Sequence, residues 1–272
     1  MSAKLLVLDI DGTLRPRGEE RIPAPNAAAL RAVQKAGVKL AIATGRCRAE
    51  VPARMLRGIR PDYWICASGA QVLDASGSEL YAAHMTSEEM YALVDFCEDY
   101  EYPLGFGFSD GGYVYLDYPA FCEQGLTGAS GISLRDGEDQ DRHLLDMPFA
   151  AFGILPEEGI DRFKEKYGYL GLQFLYYHGQ GCDILRPGQD KAVGLRHLLD
   201  VLGLAPEDCA AVGDGANDAG MLALAGQSWC MKGGDPAALA AAKAEGPAAA
   251  PDGVAQICRT LWPEVFAGED VL

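Results

Sequence analysis

The chain is short of the features that most quickly identify a function. No segment approaches the ~20 consecutive apolar residues of a membrane-spanning helix. The apolar run near the start, Leu5-Leu6-Val7-Leu8, is cut off by Asp9, too short for a signal peptide or a span. Eight cysteines, at 47, 66, 97, 122, 182, 209, 230 and 258, include no C-x-x-C pair and no zinc-like spacing. A disulfide scaffold or zinc module is therefore excluded, and reduced core thiols and a cytoplasmic protein are expected. The four histidines, 84, 143, 178 and 197, show no ligand or triad spacing and are expected at the rim or surface. There is no Gly-x-Ser-x-Gly and no phosphate-binding P-loop. Positive charge is scarce: 23 Lys and Arg against 39 Asp and Glu give a net charge of −16. That argues against nucleic acid and anionic membranes as partners.

What is present is a globular composition. With 272 residues, 49% of them hydrophobic, the chain is long enough for one large domain or two smaller ones. Residues 5 to 10 form a nearly continuous apolar run ending in Asp-Gly, the pattern of a strand buried on both faces. A helix over Ala27 to Ala36 stops at Gly37, and Val38 to Ala43 reads as a second strand. Arg46 to Leu56 reads as helical, kinked or delayed by Pro52, and Tyr63 to Ala67 as a third strand. This alternation predicts an α/β fold with a doubly wound, mostly parallel sheet.

From about residue 84 the texture changes. Glu88 to Tyr100 reads as helix, Leu104 to Phe108 and Tyr113 to Tyr118 as a hairpin around Ser109-Asp110-Gly111-Gly112, and 125 to 142 as irregular. Phe149 to Leu155 reads as strand, Glu157 to Tyr167 as helix, and Leu172 to Tyr177 with Cys182 to Leu185 as another hairpin. Parallel grammar resumes with a helix at Ala192 to Leu202, a strand at Cys209 to Val212 and a helix across Asp218 to Leu224. The expected organisation is a core of 1–83 and 185–272 with an α+β domain of 84–184 inserted in it. The alanine-rich stretch Ala237 to Ala250 is expected to be an exposed helix with a loop, broken by Gly246-Pro247.

Three strand ends carry chemistry. Asp9 and Asp11 are alternate residues as the first strand ends, so both are expected on one side of the sheet, where ligand sites of such sheets lie. Two neighbouring carboxylates can divide the work of nucleophile or metal ligand and general acid and base. Alone, Asp-Gly is equally an ordinary turn. Thr44-Gly45-Arg46 ends the second strand with a hydroxyl, an approachable amide and a cation, which suit a phosphoryl oxygen; a plain N-cap would look the same. In Gly213-Asp214-Gly215-Ala216-Asn217-Asp218, Asp214 is a candidate Mg²⁺ ligand, Asn217 a substrate contact and Asp218 an orienting group. Lys191 alone reads as a solvated surface lysine, and it becomes a candidate only because packed carboxylates and a phosphoryl group need a positive partner.

Taken together, Asp-Ile-Asp-Gly-Thr-Leu at 9–14, Thr-Gly-Arg at 44–46, Lys191 and Gly-Asp-Gly-Ala-Asn-Asp at 213–218 resemble the four ordered motifs of the haloacid dehalogenase superfamily of phosphatases. Ser68-Gly69-Ala70, Met221-Leu222 and Asp252-Gly253-Val254 extend the resemblance toward its Cof-type sugar-phosphatase branch, in which a large α+β cap separates the second and third motifs. Ser68 stands where that branch usually has Asn, and Met231-Lys232-Gly233-Gly234-Asp235 replaces a Met-Gly-Asn-Ala-like segment.

The resemblance implies a Mg²⁺-dependent phosphatase of small phosphorylated metabolites, most of all sugar phosphates. Asp9 is implied as the nucleophile that becomes an aspartyl-phosphate, and Asp11 as general acid and base. Mg²⁺ is implied on the carboxylates of Asp9 and Asp214 and the backbone carbonyl of Asp11. Lys191, Thr44 and the Gly45 amide are implied as an electrostatic cradle, with Arg46 and Asn217 as further contacts and Asp218 behind them. Two alternatives stay open: a phosphosugar mutase of the same superfamily, and a phospho-accepting regulatory module without turnover. The sequence does not choose between monomer and homodimer.

Overall fold

The computed structural model describes residues 3–123, 134–176 and 181–267. Two compact units divide the chain: Met1–Gly45, Pro52–Tyr81 and Asp190–Leu272 form the first, Arg46–Val51 and Ala82–Gln189 the second. By this division residues 46–51 and 82–189 make up the second unit.

The first unit opens with β1 (Leu5–Leu8), α1 (Ala24–Lys35), β2 (Lys39–Ala43), β3 (Tyr63–Cys66), β4 (Gln71–Asp74) and β5 (Glu79–Ala82). All four residues of β1 are buried, as a strand covered on both faces requires, and each such side chain contributes about 2 kcal/mol of apolar burial. The predicted helix over 46–56 is absent. Only a single turn forms at Arg48–Glu50, because Pro52 has no N–H to donate. After β3 the left-handed residues Ala67 (φ 47°), Ser68 (φ 51°) and Gly69 (φ 94°) reverse the chain. β4 therefore returns antiparallel to β3, with Cys66 opposite Gln71. A left-handed backbone favours Asn over Ser, so Ser68 holds a conformation that is uncommon for its type.

The second unit contains α2 (Ser87–Tyr100), β6 (Leu104–Phe108), β7 (Gly111–Leu116), α3 (Tyr118–Glu123), β8 (Arg135–Asp136), β9 (Ala150–Ile154), α4 (Glu157–Tyr167), β10 (Gln173–Tyr176) and β11 (Gly181–Leu185). Its sheet runs β10-β11-β9-β6-β7-β8, antiparallel except at β7–β8. In β6 the alternation Leu-Gly-Phe-Gly-Phe sends Leu104, Phe106 and Phe108 into a core with Leu93, Phe96 and Phe163. Helix α2 begins with a capping box in which Thr86 and Glu89 satisfy each other's backbone amides. Tyr118, expected in a strand, starts α3. Much of the irregular stretch 125 to 142, and Tyr177 and His178, lie outside the described residues.

The chain returns to the first unit with α5 (Lys191–Leu202), β12 (Cys209–Gly213), α6 (Ala219–Leu224), β13 (Gln227–Lys232), α7 (Pro236–Ala241), β14 (Ala244–Ala248) and α8 (Gly253–Leu261). The sheet order is β14-β13-β12-β1-β2-β3-β4-β5. The alanine-rich stretch is thus a short helix followed by a strand rather than a helix and loop. β14 lies at an edge, where the missing N–H of Pro247 is tolerated.

Seven of the eight cysteines are buried and all eight are free thiols, Cys122 alone being exposed. Burial pushes the Cys209 thiol up to about 12, which leaves it inert at neutral pH. Among the described histidines, His84 stacks on Phe149, His143 bonds Tyr91 and Tyr115, and His197 stacks on Tyr81. No helix among the described residues is long and apolar enough to cross a membrane.

Candidate active site

Strands β12, β1 and β2 are parallel neighbours, so their carboxyl ends lie side by side. Asp9 follows β1, Thr44 follows β2 and Asp214 follows β12. The Asp9 amide donates to the Val212 carbonyl at 3.0 Å, which carries the ladder one residue further and holds Asp9 against the 213–218 loop.

Lys191 reaches the same place from the first turn of α5. The helix start is fixed by the side chain of Asp190, which accepts from the Val193 amide at 3.0 Å, and by two close approaches that only glycine allows. A Cβ on Gly69 would lie 2.0 Å from the Asp190 carbonyl oxygen, and one on Gly194 would lie 2.5 Å from the Ile65 side chain. The completely buried Lys191 Nζ donates to Asp9 Oδ1 at 2.7 Å and to Asp218 Oδ1 at 2.6 Å. Asp218 Oδ2 in turn accepts from the amides of Asp214 and Gly215, at 2.9 and 2.8 Å. Both Asp218 oxygens are thereby engaged, and the loop that presents Asp214 is tied to the lysine.

One lysine does not offset this much negative charge. Asp9, Asp214 and Asp218, all buried, each offer an oxygen within 4.8 Å of the others. Burial pushes the Asp9 carboxyl well above its usual range; Lys191 opposes this, while Asp218, Asp214 and Asp11 reinforce it. Burial likewise raises Asp214, against the hydrogen bond from Thr13. Burial alone would depress the Lys191 ammonium, but Asp218 and Asp9 raise it, so the lysine stays charged. A buried, oxygen-only group with surplus negative charge is the donor set of a hard divalent cation.

Asp11 is not one of these three mutually close carboxylates. β1 ends at Leu8 and Gly12 takes φ +97°, while the Asp11 charge still acts on the Asp9 carboxyl. The Asp11 carboxylate is partly exposed and accepts from Arg15, whose Nε lies 3.0 Å from Oδ1. Thr13, Arg15 and Arg17 are site residues that the motif reading passes over. The Thr13 hydroxyl donates to Asp214 Oδ1 at 2.7 Å, and Arg17 reaches Asp214 Oδ2 at 3.4 Å. Their signal is local: Arg15 follows Asp11 by four residues, and the next charged residue is Arg17. Thr44 is buried, Gly45 is exposed, and Asn217 is partly buried. Arg46 belongs to the second unit.

Comparison with known proteins places these residues in a family context. The haloacid dehalogenase-like hydrolase family matches residues 6–257. An HMP-PP phosphatase of Cronobacter sakazakii is 28% identical over 243 residues, 88% of this chain and 87% of that protein. A Streptococcus pyogenes protein named as a bifunctional phosphatase/peptidyl-prolyl cis-trans isomerase is 24% identical over 84% of this chain, which spans only 47% of that longer protein. The solved structure of BT1666 from Bacteroides thetaiotaomicron shares the fold with a TM-score of 0.83 at 21% identity, covering 96% of this chain and 95% of that one. The match over nearly the whole chain, with the strand-end residues found together, shows that this protein belongs to the haloacid dehalogenase-like hydrolase family.

Proposed function

We propose that the protein is a Mg²⁺-dependent phosphatase of small phosphorylated metabolites, sugar phosphates among them. The observation that carries this reading is the buried Lys191 bonded to both Asp9 and Asp218 at the carboxyl edge of the parallel sheet. The phosphatase named among the relatives that cover most of their own length supports it.

In this reading an Asp9 carboxylate oxygen attacks phosphorus. The bond from phosphorus to the ester oxygen breaks, its electron pair stays on the leaving oxygen, and Asp11 supplies the proton. Water then attacks the aspartyl-phosphate, gives its proton to Asp11, and releases phosphate with the Asp9 carboxylate restored. Lys191 orients Asp9 through Oδ1, and Asp218 holds Lys191 and the Asp214 loop in place. Asp9 and Asp214, with the Asp11 backbone carbonyl, would hold Mg²⁺, whose charge offsets that of the phosphoryl oxygens. Thr44, the Gly45 amide, Arg46 and Asn217 are assigned to substrate contact. The second unit is assigned the choice of leaving group, as a cap. The buried free thiols support a reducing, cytoplasmic setting.

The test is turnover of an aryl phosphate by wild type and Asp9→Asn, with and without Mg²⁺. Mg²⁺-dependent hydrolysis that the variant loses supports the reading; undiminished hydrolysis by Asp9→Asn ends it.

A further inference from the structure

Strand β6 turns Leu104, Phe106 and Phe108 into the core and leaves only Gly105 and Gly107 on its alternate face. Across the hairpin Gly107 pairs with Gly112, so two residues without side chains lie opposite each other. The turn at Arg48–Glu50 and the residue before it fill the space they leave. A Cβ on Gly107 would lie 3.0 Å from Cys47 Sγ, and one on Gly112 would lie 3.0 Å from Glu50 Oε1. The Glu50 carboxylate accepts from the Cys47 amide, 2.9 Å from Oε2, and from the Gly112 amide. One side chain thus joins the peptide that follows Arg46 to the β6–β7 hairpin of the same unit.

Stability alone does not explain this arrangement. Burial pushes the Glu50 carboxyl up, and the Cys47 amide, the Arg46 guanidinium and the Gly112 amide offset that only in part. A carboxyl raised on folding costs stability at neutral pH, where it must be ionised, instead of adding to it. What Glu50 does supply is position. It holds the amide of the peptide bond between Arg46 and Cys47, and its charge and that of Arg46 act on each other. Arg46 directly follows the Thr44-Gly45 pair at the end of β2. An arginine whose base is already fixed loses less conformational freedom when its guanidinium takes an anion.

Resting on the reading of Arg46 as a substrate contact, we propose that Glu50 is a positioning residue for that contact: it fixes the base of Arg46 on the Gly107–Gly112 pair, so that the guanidinium meets an oxygen of the substrate's phosphoryl group already ordered. Glu50 itself touches no reacting atom. Its effect therefore falls on substrate binding and passes entirely through Arg46.

The experiment measures kcat and KM for an aryl phosphate with wild type, Glu50→Gln, Arg46→Ala and the double variant. It adds Gly112→Ala, whose Cβ would press on the Glu50 carboxylate from the hairpin side, in the wild-type and Arg46→Ala backgrounds. Thermal unfolding checks that each variant is folded. Glu50→Gln is expected to raise KM about tenfold with kcat unchanged to within about twofold. In the Arg46→Ala background the same substitution should change KM by less than about twofold, because no guanidinium is left to position. Gly112→Ala should follow the same pattern, and it decides the matter if Glu50→Gln does not fold. An unchanged KM, a fall in kcat alone, or losses that multiply independently in the double variant overturn the proposal and leave the phosphatase reading intact. Absence of turnover by wild type removes that reading and the proposal with it.

Discussion

Lys191 Nζ lies 2.7 Å from Asp9 Oδ1, with the lysine completely buried and the aspartate 6% exposed, although 182 residues separate them. A charged pair so far from water is kept only if both members are needed together, because either one left alone would be an uncompensated buried charge. Lys191→Ala is expected to lower unfolding free energy by about 3–5 kcal/mol at neutral pH and to abolish measurable turnover. Denaturant unfolding and aryl phosphate hydrolysis check the two effects. Wild-type stability in the variant would mean that the pair does not hold the site.

Gly12 packs its backbone against the Asp214 carboxylate. At φ +97° a side chain is strained, and an added Cβ would sit 2.2 Å from Asp214 Oδ2. Gly12→Ala is expected to cost about 1–3 kcal/mol through strain and to displace Asp214. The Mg²⁺ concentration for half-maximal activity should therefore rise. An unchanged metal requirement would contradict the assignment of Asp214.

Asp62 gives a pH signature away from the site. Burial alone would raise its carboxyl. The Leu40 amide at 3.0 Å, Lys39 at 3.0 Å and Gln34 at 3.1 Å together hold it below its ordinary 3.8. A carboxylate depressed in the folded state contributes stability above its unfolded value and loses it as pH falls through the folded value. Asp62→Asn should be less stable than wild type at pH 7, and the gap should close as the pH drops below about 4. A gap that stays constant across that range would show that the ionised form is not what stabilises this corner.

The strands with two buried faces are legible in sequence because β1, β2 and β12 read as continuous apolar runs, and their alternation with helices points to a parallel sheet. The short sheet-edge elements are not. β4 depends on three successive left-handed residues at 67–69, and β14 carries Gly and Pro that speak against a strand until its edge position is known. The Asp9, Lys191 and Asp214 motifs are visible one by one, but what joins them is the packing of Gly69 and Gly194, whose close contacts no local pattern reveals. Arg15 and Arg17 escape because they matter only once the turn folds back on Asp11 and Asp214.

The central claim, that Asp9 takes the phosphoryl group, is tested most directly with Asp11→Asn. An aryl leaving group departs without help from an acid, whereas the water that clears the phospho-enzyme needs the Asp11 base, so the intermediate should accumulate. After rapid quenching and peptide mass analysis, a phosphoryl group is expected on the peptide that contains Asp9, and it should vanish in the Asp9→Asn, Asp11→Asn double variant. A phosphoryl group found elsewhere, or one that persists in the double variant, would contradict the account.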